Sequence, residues 1–265
     1  MPHTIPDINA LLQHYFDKVL VLTVPRFKDR QEKVTQRLAG ISFEFFYGVD
    51  KDELDADSIS RNYLYDKKLS LSVRQQFKEM NRGEMACALS HRKIYQAIAD
   101  NNWKRVLILE DDVIPDFSTL PLLFEQTKEL PPDWELFYLG YLKNEKIITG
   151  LLIKQAWYKI LRFLGLSNFS YQQINNLAPR PFSATLMKAG FHDCTHAYAI
   201  SLAGAKKLLQ AQTPVKHRAD NLLSALVLDN AIEAYASKEF LFNQEIFTDQ
   251  ADQSHVREPQ KLSVS

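Results

Sequence analysis

VLILEDDVIPD, residues 106–116, is the stretch on which the reading of this chain turns. Val106, Leu107, Ile108 and Leu109 form an apolar run without alternation, the pattern of a parallel strand covered on both faces. The run ends in Glu110, Asp111 and Asp112, and Pro115 just beyond cannot continue an interior ladder. Three adjacent carboxylates repel one another and call for compensation. In an extended segment alternate side chains share a face, so Glu110 and Asp112 can point at one ligand while Asp111 turns toward its own support. Mg2+ or Mn2+ suits such a pair, because these ions take oxygen ligands and are held by one or two carboxylates together with substrate phosphates. The place suits it too, since ligands of open α/β sheets bind outside the carboxyl ends of the strands. The competing reading is a solvated acidic turn with local caps.

Upstream, KVLVLTV at 18–24 is a second apolar strand ending in polar residues. PRFKDRQEKVTQRLAG at 25–40 then reads as a loop and a helix, with Asp29 the expected N-cap, Val34 and Leu38 on one face and Gly40 the stop. Arg26 and Arg30 thus stand beside a strand end and a helix start, where backbone amides and guanidinium forks favour a phosphate; a solvated helix face is the alternative. SFEFFYGVD at 42–50 is a further β-rich run, so the chain opens with βαβ organisation. NRGEMACALSHRKIYQAIADNNW at 81–103 is a strong helix entered at Gly83, with Ser90 and His91 inside it; a histidine there is either a packed core residue or a ligand-facing group.

Downstream, Phe117 to Glu129 reads as a helix, and WELFYLGY at 134–141 as the next strand. ITGLLIKQAWYKILRFLGL at 148–166 is apolar with interspersed Lys154, Lys159 and Arg162. An internal amphipathic helix is its more common explanation and a membrane-interface helix the other. Residues 167–190 read as a flexible loop over a site. HAYAISLAGAKKLLQAQ at 196–212 is a strand, then a helix capped by Ser201. Asp220 starts the next helix, either as its N-cap or as a carboxylate in the crevice. A strand or extended segment from Phe240 precedes a polar tail at about 256–265.

Composition limits what this chain can be. Its 265 residues fit one α/β domain with a substantial core, and 46% apolar with 24% charged residues is ordinary globular usage. Lys plus Arg and Asp plus Glu balance at 32 each, which gives no support for nucleic-acid binding. Two cysteines far apart argue against a disulfide scaffold and suit a reducing cytoplasm, each thiol being expected to be buried. The first residues lack the basic and apolar segments of a secretory signal, and no window reaches the roughly 20 apolar residues of a membrane span. The expectation is a soluble, cytoplasmic protein or one peripheral at the inner membrane. No zinc pattern, Walker loop, GxSxG elbow or internal repeat occurs.

Taken in order, VLTVPRFKDR with FYGVD, GEMACALSHRKIY, VLILEDDV, and HAYAISLAGAKKLL followed by Asp220 and IFTDQADQS resemble glycosyltransferase family 25, which includes lipooligosaccharide and collagen galactosyltransferases. The resemblance spans nearly the whole chain. It implies a glycosyltransferase A-type, Rossmann-like, mostly parallel sheet flanked by helices. It also implies a UDP-sugar donor, a divalent cation (Mn2+ or Mg2+), transfer with inversion, galactose as the sugar, and a glycan or lipid-linked oligosaccharide of a lipopolysaccharide as acceptor. Glu110 and Asp112 match the acidic metal motif with Asp111 between them. Arg26, Asp29, Arg30 and Asp50 fall near the nucleotide, and Glu84, Ser90 and His91 match the helix motif. Asp220, after the stretched TPVKHRAD, is assigned as the base, and His255 stands where an acid is more usual, as a third metal ligand or an exposed tail residue. Two alternatives stay open: a non-catalytic nucleotide-sugar-binding member and a metal-dependent phosphoesterase. A phosphorelay receiver does not, because no apolar strand ending in Asp follows within roughly fifty residues of Asp112.

Overall fold

In this computed structural model the central strands of the sheet can be traced to apolar runs in the sequence, whereas one edge strand, Arg180–Pro181, is an exposed pair. The structure describes residues 4–66, 79–142 and 149–245. Helix α1 (Ile5–Tyr15) leads into β1 (Lys18–Thr23), α2 (Lys28–Arg37) and β2 (Glu44–Tyr47). Helices α3 (Ala56–Asn62) and α4 (Arg82–Asn101) precede β3 (Arg105–Glu110) and the short β4 (Val113–Pro115). Then come α5 (Leu123–Glu129), β5 (Leu136–Gly140), α6 (Thr149–Phe163), α7 (Tyr171–Asn175), β6 (Arg180–Pro181) and β7 (Leu186–Lys188). The chain continues through β8 (Ala197–Ser201), α8 (Leu202–Ala211), α9 (Ala219–Leu228), β9 (Ala234–Ser237) and β10 (Phe242–Gln244).

Eight strands form one sheet in the order β2-β1-β3-β8-β5-β9-β7-β6, and β10 with β4 forms a two-stranded ribbon. Six of the eight run one way; β8 and β7 oppose them. The mostly parallel α/β class read from the sequence is therefore the one observed. One correction concerns β3 itself. It is parallel to β1 but antiparallel to β8, so the unbroken apolar run reports burial on both faces and not two parallel neighbours.

The pleat explains that run. Leu107 and Leu109 pack with α1, α2 and Leu123 of α5, while Val106 and Ile108 pack with α4, α8 and α9. Helices thus cover both sides of the sheet, each side burying alternate residues of the same strand. The helix 82–101 starts at an Asn81 cap whose side chain and Glu84 exchange hydrogen bonds with each other's backbone, a capping box. Ser201 caps α8 by accepting from the Gly204 amide, as its position predicts.

Several expectations change. The N-cap of α2 is Phe27, with Asp29 exposed in the first turn, and the N-cap of α9 is Arg218, so Asp220 is not a cap. Residues 167–190 are not a loop over the site: they hold α7, β6 and β7, and bury Phe169, Ile174 and Leu177 in a small core shared with Ala225 and Leu228 of α9. The helix 149–163 has no buried residue, against the expectation that it is internal. Neither Cys87 nor Cys194 forms a disulfide, and each side chain is largely but not fully covered, where full burial was expected. Among the described residues no helix is long and apolar enough to cross a membrane. His255 and the expected tail lie outside the described residues.

Candidate functional site

Parallel strands deliver their carboxyl ends to one edge of the sheet. Thr23 ends β1 and Glu110 ends β3, and the loop after β2 brings Val49 and Asp50 alongside. Because β8 runs the other way, its entry residues Thr195 and His196 reach the same edge, where the Glu110 amide donates to the His196 carbonyl at 2.9 Å. A cleft of about 170 Å³ opens there. Arg26, Arg30, Asp50, Ser90, Glu110, Asp111 and Asp112 line it, so seven of the expected residues converge. Asp29, Glu84, His91 and Asp220 do not line it.

The acids are held differently from one another. Asp111 and Asp112 form a turn between β3 and β4, not an extended strand. Asp111 turns to its own support, as expected: the Thr23 hydroxyl donates to it at 2.6 Å and Arg30 pairs with it at 2.7 Å. Glu110 is partly buried, and loss of water alone would raise its pKa, but His91, Thr195 and His196 outweigh that and hold it below its ordinary value. Asp112 receives the Gln244 amide at 3.1 Å and sits 3.3 Å from Arg30, yet its Oδ1 is buried without a hydrogen-bond partner. Burial, with Glu110 and Asp111 adding repulsion and Arg30 opposing, pushes its pKa up to about 7. A buried carboxylate oxygen left without a partner beside a cleft is one that a cation would satisfy.

The cations are already engaged. Arg26 pairs with Asp50 at 2.7 Å and with Asp52, and Arg30 bridges Asp111 and Asp112. Of the charged residues lining the cleft, four are acids and three are bases (Arg26, Arg30 and Lys51), so it is acidic on balance. Asp112 and Glu110 are hard oxygen donors of the kind that Mg2+ or Mn2+ would take.

A second cluster shares Glu110: its carboxylate, the Cys87 thiol and the His91 ring place ligand atoms within 4.8 Å of one another. Burial, followed by the charges of Glu110, Asp220 and Asp112, drives the thiol pKa well above its ordinary value, which opposes the thiolate a metal requires. His91 is better described as a support. Its Nδ1 lies 2.7 Å from the Tyr198 hydroxyl, which meets Tyr95 at 3.0 Å, and its Nε2 stands 3.5 Å from Glu110.

Ser90 shapes the cleft wall. Its hydroxyl donates to the Ala86 carbonyl and accepts from the Val49 amide at 2.8 Å, fixing the loop that carries Asp50. Gly48 has to be glycine here, since a Cβ would lie 2.4 Å from Ser90 Oγ. Gly48→Ala is expected to cost about 1–3 kcal/mol of stability by overpacking and to weaken ligand binding at the cleft. A further Ser90→Gly change should restore part of the stability. Thermal unfolding of the single and double variants checks this, and an unaltered single variant would refute the close contact.

Glu84 serves the capping box and pairs with Arg218 at 2.9 Å. Asp220, in the first turn of α9, accepts from the Asn221 amide at 2.7 Å. Its pKa is raised by burial first, with the charge of Glu110 adding to it, so it stands close enough to feel the acidic edge. Sequence reading missed Thr23, Gln244 and Thr195. Thr23 was legible as the polar end of β1, whereas Gln244 and Thr195 arrive through long-range pairing and carry no local signal.

Residues 16–223 match the family described as glycosyltransferase family 25 (LPS biosynthesis protein). The chain is 26% identical over 251 residues to procollagen galactosyltransferase 1-A of Xenopus laevis, covering 89% of this chain and 34% of that protein. It is 28% identical over 206 residues to the human inactive glycosyltransferase 25 family member 3, covering 74% of this chain and 29% of that one. The chain thus spans about a third of the length of the curated relatives it matches. A solved glycosyltransferase involved in glycosylation of the major capsid of PBCV-1 aligns with a TM-score of 0.36 at 10% identity, covering 88% of this chain and 93% of that one. With the family match running from just before β1 into α9 and the acidic strand end inside it, the chain belongs to glycosyltransferase family 25.

Proposed function

We propose that this chain transfers a sugar from a UDP-sugar to a hydroxyl of a glycan acceptor, by a single displacement that inverts the anomeric centre. The observation that carries the reading is the acidic cleft with the unpartnered Oδ1 of Asp112. Asp112 and Glu110 would hold Mn2+ or Mg2+, which when bound would supply charge neutralisation for the departing diphosphate. Asp111, anchored by Thr23 and Arg30, keeps the turn in shape. Lys51 lines the cleft from the β2 end and favours the nucleotide's phosphates, whereas Arg26 reaches them only by giving up part of its pairing with Asp50 and Asp52. Asp220 takes the proton of the attacking hydroxyl. Galactose is favoured because relatives of this chain are galactosyltransferases by name, and a lipopolysaccharide acceptor because the family description names that biosynthesis. Two cysteines that form no disulfide suit a cytoplasmic setting.

A non-catalytic, nucleotide-sugar-binding role is the second reading, favoured by the relative that is named inactive. Calorimetric titration of UDP into the protein with Mn2+ and with chelator tests the site. Saturable binding that disappears with chelator is expected; metal-independent or absent binding overturns the donor-site assignment. Release of UDP from UDP-galactose in the presence of metal then separates a working enzyme from a binding protein.

A further inference from the structure

Helix α6 turns its polar and half-buried side chains inward and its large apolar ones outward. Gln155 donates to the carbonyls of Ile174 and Asn175 at the end of α7, and Tyr158 meets the Phe169 ring edge-on at 5.4 Å. On the other side Ile153 is 65% exposed, Trp157 56%, Ile160 50% and Phe163 82%, with Leu164 continuing the patch. At 100° per residue, positions 153, 157, 160 and 164 fall within a strip about 60° wide. Lys154 and Lys159 are exposed on opposite flanks of that strip. From Lys146 through His192 the chain contains no Asp or Glu, so every formal side-chain charge in that stretch is positive.

A contiguous apolar face of this kind marks an interaction surface. The flanking charge selects the partner. A second protein would need only apolar complementarity, whereas cations bordering an apolar strip match a bilayer whose acyl boundary takes the strip and whose anionic headgroups take the lysines. We infer that the outward face of α6 docks the protein on an anionic lipid surface, with Trp157 and Ile160 entering the headgroup boundary and Lys154 and Lys159 pairing with lipid charges. The helix is too short and too basic to span, so it lies in the interface plane. The cleft does not include any residue of this helix, so docking leaves the donor site open.

Flotation with vesicles of phosphatidylglycerol and phosphatidylcholine, against vesicles of phosphatidylcholine alone, tests the assignment. The protein should float with the anionic vesicles at low salt and remain behind with the neutral ones, and Trp157 should be quenched by brominated acyl chains. Lys154→Gln with Lys159→Gln should lower the anionic-vesicle affinity roughly 25-fold, about fivefold per cation. Ile153→Ser with Trp157→Ser and Ile160→Ser should abolish it. Both variants should keep the wild-type unfolding temperature and UDP binding, because none of these residues is buried or lines the cleft. Equal flotation with both vesicle types, or flotation unchanged by the triple variant, overturns the proposal. So does concentration-dependent dimerisation that the triple variant removes, which gives the face to a second copy. Vesicle binding that appears only after deletion of residues 246–265 gives it to the chain's own tail. UDP titration reads independently of all of these, so failure of docking and failure of the donor site are told apart.

Discussion

Asp112→Ala is expected to remove the metal-dependent part of UDP binding. Loss of an outer partner to a metal ligand typically costs about 10–100-fold in metal affinity, and loss of the ligand itself costs at least that. The same carboxylate should reveal itself through pH. Its pKa in the folded, metal-free protein is raised from 3.8 to about 7, chiefly by burial and next by Glu110. A group raised on folding contributes stability that is fully present below the unfolded value and lost as pH rises through the folded one. The metal-free protein should therefore lose stability from this source between pH 4 and about 7. Asp112→Asn, which cannot ionise, should be the more stable of the two at pH 8 in chelator and nearly equal to wild type near pH 4. Metal must displace the Asp112 proton, so Mn2+ affinity should climb as pH rises through about 7 and level off above it. Thermal unfolding against pH and Mn2+ titrations on the two proteins measure both. An Asn variant less stable than wild type at pH 8 would show that the carboxylate is satisfied without a cation and would remove Asp112 as the metal ligand.

Asp220→Asn is expected to lower kcat by about 10²–10⁴-fold, the usual contribution of a general base, while UDP affinity stays near wild type. Asparagine retains the acceptor for the Asn221 amide, so the start of α9 should be preserved. The acid is suited to the task because burial, with Glu110 adding repulsion, raises its pKa from 3.8 toward the range where a carboxylate both stays ionised and accepts a proton well. Arg218 and the Asn221 amide oppose that rise. The acid limb of the kcat profile should accordingly lie above that of an ordinary carboxylate. Near-normal turnover of the Asn variant, or an equal loss of UDP binding and turnover, would take Asp220 out of the role. The split between binding and rate separates Asp220 from Asp112, whose loss acts on binding first.

The differences between expectation and structure follow from the reach of each signal. The Asn81–Glu84 capping box and the Ser201 cap are local, and sequence reading found Ser201 but passed over Asn81, placing the helix entry at Gly83. Asp29 failed as a cap because the loop closes two residues earlier, at Phe27, where the Lys28 amide already bonds the Arg26 carbonyl. The arginines do lie beside the strand end and the helix start, but sequence reading did not foresee their ion pairs. Strand pairing brings Asp50 to Arg26, and the acidic turn to Arg30, so each arginine is neutralised before any phosphate arrives. The helix 149–163 was misread as internal because periodicity shows that a face is apolar and cannot show whether something covers it.

What the sequence determined by itself was the acidic strand end, the α/β class, the helix supporting Ser90 and His91, and the family. All of these are written in short contiguous runs whose period or motif order is visible without contacts. What only the tertiary structure decided was how the three acids divide their work. Thr195 reaches Glu110 because β8 is inserted antiparallel between β3 and β5, and Gln244 reaches Asp112 because β10 pairs with β4. These partners lie 85 and 132 residues away along the chain. Their approach depends on which strands neighbour one another, and that is set by the joint packing of both sheet faces, which no local stretch encodes.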